Sequence, residues 1–315
     1  MTRFILRRFL LLILTLFVTS FIIFSLTQLL PGDIARINLG REASEEALQR
    51  ERERLGLDSP FLTQYADWLG GFVTGDWGVS YNRGNPPVRP LVIDRLNNTV
   101  KLGLMTLIIS IPISILLGVL AALRENTIVD SIISLVSLSV VGLPEFVTGI
   151  IFINVFAHGT GWFPTTSIVR DGFTFGEWIN VLTLPAMTAT LVLLGYVSRM
   201  TRAGVIDELK KPYVRTAILK GIPQRQVIFK HVLRNALLPT ITVIAISIGW
   251  LIGGLVVIEE VFNFPGLGKE LVDAVQAKNI PMIQAIVMLI VLAFALANLA
   301  ADVLYGLLNP RIRLE

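Results

Sequence analysis

Apolar residues run along this chain in blocks of about twenty, the length a helix needs to cross a hydrocarbon layer about 30 Å thick. The first block covers 9–30 and follows Arg3, Arg7 and Arg8. It outruns the apolar region of a signal peptide and no A-x-A cleavage site follows it, so it reads as a retained span. Further blocks lie at 102–123, which contains Pro112, and at 131–157, which is interrupted at Pro144-Glu145. Two more cover 179–197, with Pro185 near its start, and 236–258. The last covers 280–301 and continues to about 308. The pattern predicts an all-α integral membrane protein with six transmembrane helices and a long exterior loop region after the first.

Composition agrees. Of the 315 residues, 53% are hydrophobic and 16% charged, against about 25% charged in soluble proteins. That excludes a soluble enzyme or a disordered scaffold. The net charge of +4 does not point to nucleic acid, because basic residues in a membrane chain mark the loops that stay in the cytoplasm. With no cysteine, and with His158 and His231 far apart, no thiol chemistry or metal-ligand spacing is available.

Lysine and arginine set the orientation. The stretch 199–235 carries nine of them against Asp207 and Glu208, the amino terminus adds three arginines, and the tail adds Arg311 and Arg313. Four spans separate the amino terminus from the basic stretch and two more separate it from the tail. The parity therefore predicts both termini in the cytoplasm. The organisation is a first transmembrane helix over 1–30, an exterior helical segment over 31–97, and a core of five spans over 98–308 that includes the loop 199–235. A cytoplasmic tail over 309–315 closes it.

In the exterior segment, Ser44 suits an N-cap, Glu45 and Glu46 a first turn, Arg54 a last turn and Gly56 a C′ position. With Glu46 and Arg50 at i,i+4, the charge run reads as a solvated helix. Phe61, Tyr65, Trp68 and Phe72 then recur at 4-3-4 spacing after Pro60, an aromatic stripe that suits the membrane interface or a neighbouring span better than a ligand.

The loop 199–235 has its own architecture. Residues 213–221, YVRTAILKG, read as a short helix after Pro212, with Gly221 in a left-handed C′ position. Pro223 fits the N1 position of a second helix carrying Val227, Ile228, His231 and Val232 on one face. That helix leads through RNALLP, 234–239, into the fifth span. A compact helix–turn–helix on the cytoplasmic face can transmit force from a soluble partner.

This loop resembles the EAA loop of ABC importer permeases, and YVRTAILKG followed by RNALLP is similar to the dipeptide/oligopeptide/nickel branch of that family. The likeness continues in LPGD at 30–33, ERLGLDSP at 53–60, GDWGVSY at 75–81, FNFPGLGKELVDAV at 262–275 and the closing LYGLLNPRIRLE. The residues that name the loop stand here as Arg215-Thr216-Ala217, and the Leu-Pro lies farther from Gly221 than in sugar importers; both features are usual in the peptide branch.

The resemblance implies the type I ABC importer permease fold in a bacterial or archaeal inner membrane. It also implies a second homologous permease subunit, two cytoplasmic ABC ATPase subunits, an extracytoplasmic substrate-binding protein and contact with membrane lipid. ATP and magnesium would be bound by the ATPases, and no phosphate loop occurs in this chain: GLGKE at 266–270 lacks the upstream glycine and the hydroxyl residue. The implied coupling residues are Tyr213, Arg215, Thr216, Ala217, Lys220, Gly221, Pro223 and Arg225. Arg234, Asn235, Leu238 and Pro239 form the junction with the fifth span.

Polar residues near or within the spans leave alternatives open. Glu145 either lines the translocation path and meets the amino end of a peptide or another cationic group, or the span is offset and Glu145 pairs with a neighbour or sits near an aqueous vestibule. Asn97, Asn98 and Thr99 are helix caps or substrate contacts. Asp302 reads as an interfacial residue near Arg311 or Arg313. Gly249-x-x-x-Gly253 permits close helix approach. The expected function is a permease subunit of an ATP-driven importer for di- or oligopeptides. Nickel chelates, oligosaccharides and opine-like solutes are alternative cargoes, and an intramembrane enzyme is the distant alternative.

Overall fold

The computed structural model describes residues 2–29, 34–39, 43–54, 56, 58–81, 85–170 and 172–308. The LPGD segment and the closing NPRIRLE, with Arg311 and Arg313, lie outside the described residues. Four helices are long and apolar enough to cross a membrane, and two bent helix pairs bring the number to six if each pair is one span. Among the described residues there is no strand, only one isolated bridge between Val79 and Pro87.

Helix α1 (Thr2–Gln28) is the first span. Short helices α2 (Ile34–Leu39), α3 (Glu45–Arg54) and α4 (Phe61–Thr74) follow in the exterior segment. Ser44 accepts from the Ala47 amide at 3.3 Å, and Gly56 is left-handed at φ +65°, both as the sequence predicts. The aromatic stripe of α4 packs on α1: Tyr65 meets Phe17, Phe21 and Phe24 edge-on. Its hydroxyl bonds Ser20 at 2.8 Å in a buried contact. The stripe is a helix-packing surface, so it is closed to ligands.

Helix α5 (Val88–Leu123) begins well outside the predicted second span. At 1.5 Å per residue its 36 residues extend about 54 Å, far beyond the hydrocarbon thickness. Pro90 sits in its first turn, where no amide partner is lost. Helices α6 (Ile128–Gly142) and α7 (Glu145–Phe152) form the third span, the latter continuing as a π-helical segment, Ile153–Gly159. They bend by 106° at Leu143-Pro144. The break follows from Pro144, which lacks an amide donor and forces Leu143 into an extended conformation.

Helix α8 (Phe175–Leu209) is the central element. Of its most apolar stretch 72% is buried, against 11% for α1, whose outward leucines and phenylalanines are left for lipid. Its start carries a capping box between Thr174 and Glu177. It continues through Arg199 and Arg202 into the predicted loop, and Arg202 forms two hydrogen bonds to Asp130 at 2.6 and 2.7 Å. Small residues bring the helices together, as expected where hydrocarbon surrounds them. A Cβ at Gly118 would lie 2.5 Å from the Ser198 carbonyl oxygen, and one at Gly195 would lie 2.7 Å from that of Ser137. Ser137 and Ser198 bond each other at 3.1 Å.

Beyond α8 come α9 (Pro212–Leu219), α10 (Gln224–Gln226), a π-helical segment Val227–Val232, and α11 (Leu233–Ala236). A bend of 50° leads into α12 (Leu238–Gly254). Helices α13 (Val256–Val261) and α14 (Leu267–Gln276) follow, and α15 (Ile280–Leu308) is the last span. Gly249 and Gly253 face Phe294, Ala297 and Ile290 of α15, so this pair serves helix packing. Asp302 pairs with Arg8 of α1 at 2.7 Å, closing the first and last spans on each other.

Candidate functional site

The helix–turn–helix that the sequence places on the cytoplasmic side is built as its residues dictate. Pro212 opens α9, and Gly221 ends the turn at φ +76°. Pro223 stands one position earlier than predicted, as the N-cap, with Gln224 the first helical residue. Val214 and Ala217 of α9 and Val227 and Val232 of the second helix are buried against Val205 and Ile206 of α8. The predicted apolar face is thus the core of a small domain.

Polar ties then fix this domain to the span. The Tyr213 hydroxyl donates to Glu208 at 2.6 Å and accepts from Asn235 at 3.3 Å. Lys211 pairs with Glu208 at 2.7 Å. Burial, reinforced by the bond to Glu208, raises the Tyr213 phenol above its usual pKa. The backbone of α11 crosses α8 at Gly204, where any Cβ would lie 2.4 Å from the Ala236 carbonyl oxygen. Helix α9 is thereby in contact with α8, and Leu238 and Pro239 open α12 directly after α11.

Arg215, Thr216, Lys220 and Arg225 are exposed on the outer surface. Between them stand three apolar side chains that the sequence reading did not single out: Leu219, 78% exposed, Phe229, 64%, and Ile218, 56%. The Arg225 guanidinium lies 6.0 Å from the Phe229 ring centre. The signal was present in YVRTAILKG, whose helix has apolar residues on both faces when a free-standing loop helix needs only one.

Within the membrane, Glu145 is the first residue of α7, at the sharp break after α6. Its Oε2 is buried and has no hydrogen-bond partner among the described residues. It lines a cavity of about 660 Å³ with Phe146, Tyr196, Ser247 and Trp250.

Asn97, Asn98 and Thr99 lie more than two turns inside α5, whose N-cap is Pro87, so they are not the helix caps that the sequence allowed; Asn98 and Thr99 are both buried. Thr99 donates to Glu259 Oε1 at 2.6 Å and accepts from the Leu267 amide at 2.7 Å. Glu259 Oε2 accepts from the Gly268 and Lys269 amides at 2.7 and 3.0 Å, so a buried carboxylate caps α14 and binds it to α5. Burial, outweighing these three donors, pushes the Glu259 carboxyl up to about 7. Asn98 donates to the Pro265 carbonyl oxygen at 3.0 Å and borders an exterior cavity of about 510 Å³ with Lys101, Arg170 and Trp178.

Comparison with known proteins agrees with this architecture. Residues 114–314 match the family described as binding-protein-dependent transport system inner membrane component, and residues 1–103 match its amino-terminal domain. The chain is 36% identical over 313 residues to the glutathione transport system permease protein GsiC of Escherichia coli strain K12, covering 99% of both chains. The counterpart from Shigella dysenteriae serotype 1 matches to the same extent. A crystal structure of an amino acid ABC transporter with histidines is a distant likeness, with a TM-score of 0.46 and 18% identity over 70% of this chain and 94% of that one. With both family segments matched and a relative aligned end to end, the chain belongs to the binding-protein-dependent transport system inner membrane components, as an ABC importer permease subunit of the dipeptide/oligopeptide group and not an enzyme.

Proposed function

We propose that this subunit forms half of the translocation path of an importer for di- and oligopeptides, and that its cytoplasmic helix–turn–helix is the surface on which an ATPase docks. Membership of the family implies an ATPase and a substrate-binding protein as partners. The finer composition proposed is a sister permease, two ATPase subunits and an external binding protein. Both termini are placed in the cytoplasm, a reading supported by the basic residues of 199–235. The relative named for glutathione transport supports a peptide cargo, since glutathione is itself a small peptide.

One observation carries the coupling role. Leu219, Phe229 and Ile218 are exposed beside Arg215, Lys220 and Arg225 on a rigid domain that protrudes from the membrane. Apolar anchors framed by basic residues are what a protein partner's groove accepts, while Tyr213, Asn235 and Gly204 pass its movement to α8 and α12. Glu145 lines the path within the membrane and Asn98 stands at its exterior mouth. Thr99, its hydroxyl engaged by Glu259 and Leu267, holds the wall of that mouth.

The test is ATP-dependent uptake of a labelled peptide mixture into vesicles that contain this subunit with its co-purifying partners and the external binding protein. Peptide accumulation that stops when the loop is broken by Gly221→Pro in an assembled complex is the expected result. ATP turnover with uptake of a nickel chelate or an oligosaccharide, but of no peptide, would overturn the cargo. Absence of any associated ATPase would overturn the coupling.

A further inference from the structure

The cavity at the break of the third span has a one-sided chemistry. Its polar wall includes Glu145, whose Oε2 is buried and without a hydrogen-bond partner among the described residues, and no lysine, arginine or histidine among those residues lines it. The surrounding surface is mostly aromatic and aliphatic, with Phe146, Tyr196 and Trp250 among its lining residues. An isolated acid within a membrane span is costly unless a cation or water meets it. Aromatic faces attract cations through their quadrupole, tryptophan most strongly, and bury the apolar body that carries the charge. A carboxylate beside Tyr196 and Trp250 therefore selects one class of group, a protonated amine on an apolar stem. A sugar would find few hydrogen-bonding partners there, and an anion would meet like charge.

We infer that Glu145, Tyr196 and Trp250 form an ammonium-binding site within the membrane, which holds the protonated amino terminus of the cargo during passage. This rests on the peptide-import reading and narrows it: the recognised feature is the free amino group, and the apolar lining receives the first side chain. The cavity, at about 660 Å³, falls within the range of small-molecule sites. Its walls come from α6, α7, α8, α12 and α13, and α8 and α12 are the two helices joined to the cytoplasmic domain. Movement of that domain consequently reshapes the site, a means of releasing what it holds.

The experiment uses the assembled complex in detergent, without the external binding protein, at about pH 6.5, where a free α-amino group carries its proton. The probes are radiolabelled alanyl-phenylalanine and its N-acetyl derivative, and the readout is their equilibrium binding to the complex. Preferential binding of the free dipeptide is expected, with Glu145→Gln weakening it by about tenfold or more while binding of the acetylated form is unchanged. Trp250→Leu, which keeps the carboxylate, should weaken the free dipeptide severalfold, and it decides the matter if Glu145→Gln prevents assembly. Equal binding of the two probes by wild type, binding of neither, or an unchanged preference in either variant would overturn the site. Uptake by the wild-type transporter is measured separately. Peptide uptake without amine preference at the cavity defeats this inference alone, whereas absence of all peptide uptake defeats the cargo on which it rests.

Discussion

Thr99 and Glu259, 160 positions apart, meet through a buried 2.6 Å hydrogen bond that fastens the exterior start of the second span to the segment beyond the fifth. The Thr99 hydroxyl has its donor and an acceptor position both used, since it also receives the Leu267 amide. Thr99→Val keeps the shape and removes both bonds, leaving a buried carboxylate oxygen and a buried amide short of a partner. The expected destabilisation is about 1–3 kcal/mol, read as a lower thermal midpoint of the detergent-solubilised complex. Thr99→Ser should recover most of it, and a Val variant as stable as wild type would show the bond to be dispensable.

Glu259 also makes stability depend on pH in a calculable direction. Its carboxyl titrates at about 7 in the fold, against 4.5 when unperturbed. A raised acid binds its proton more tightly folded than unfolded, so its contribution is full below about pH 4.5, declines through about pH 7 and is flat above that. The stability of wild type relative to Glu259→Gln should accordingly fall between pH 5 and pH 8. Parallel midpoints for the two proteins across that range would refute the assignment.

Gly221 links local backbone to coupling. It adopts φ +76°, and a Cβ there would meet nothing within 4 Å, so only backbone conformation opposes substitution. Gly221→Ala should cost about 1 kcal/mol of local stability and reduce uptake modestly. Proline cannot adopt this φ and loses the amide that donates to the Ile218 carbonyl oxygen at 2.9 Å. Gly221→Pro should therefore abolish ATP-driven uptake while spectroscopic helix content stays near wild type. Retained uptake in the proline variant would mean that the turn does not transmit movement.

Much of this was legible because each signal was local. Apolar block length announced the spans, Pro144 announced a broken helix, and Pro212 with Gly221 announced the helix–turn–helix. The misplaced boundaries have a common cause. Helices α5 and α8 run on past their apolar blocks, because a helix ends where its backbone is interrupted and not where hydrocarbon stops. Arg202, read as part of a loop, lies within α8, where Asp130 of another helix pairs with it. Glu259 escaped notice since its partners lie on α5 and on the first turn of α14, a conjunction that no sequence period reveals. Tyr196 and Trp250 read as ordinary span residues until the fold set them beside Glu145.

Leu219 and Phe229 give the docking surface its sharpest test. Both are exposed on the outer side of the cytoplasmic domain, so replacing them leaves its core of Val214, Ala217 and Val227 untouched. Leu219→Asp or Phe229→Ala should each weaken ATPase binding by about 2 kcal/mol, roughly thirtyfold, the scale of an interface hot spot. The permease itself should keep its thermal midpoint. Pull-down of the ATPase subunits with each variant measures the first and unfolding in detergent the second. Undiminished binding by both variants would place the docking surface elsewhere on the chain.

Gly204 tests the route by which that docking is felt in the membrane. A Cβ there would lie 2.4 Å from the Ala236 carbonyl oxygen, a backbone atom that cannot swing aside as a side chain would. Gly204→Ala must therefore push α11 away from α8, at a cost on the scale of about 1–3 kcal/mol for an overpacked contact. The displaced helix carries Asn235, so its bond to Tyr213 lengthens as well. Because the proposed docking residues Leu219 and Phe229 are untouched by this change, the ATPase should bind almost normally. Uptake per ATP hydrolysed should fall, because movement of α9 no longer reaches α8 and α12 through a close contact. A Gly204→Ala complex with wild-type uptake per ATP would show that force passes along the chain through Leu238 and Pro239 alone.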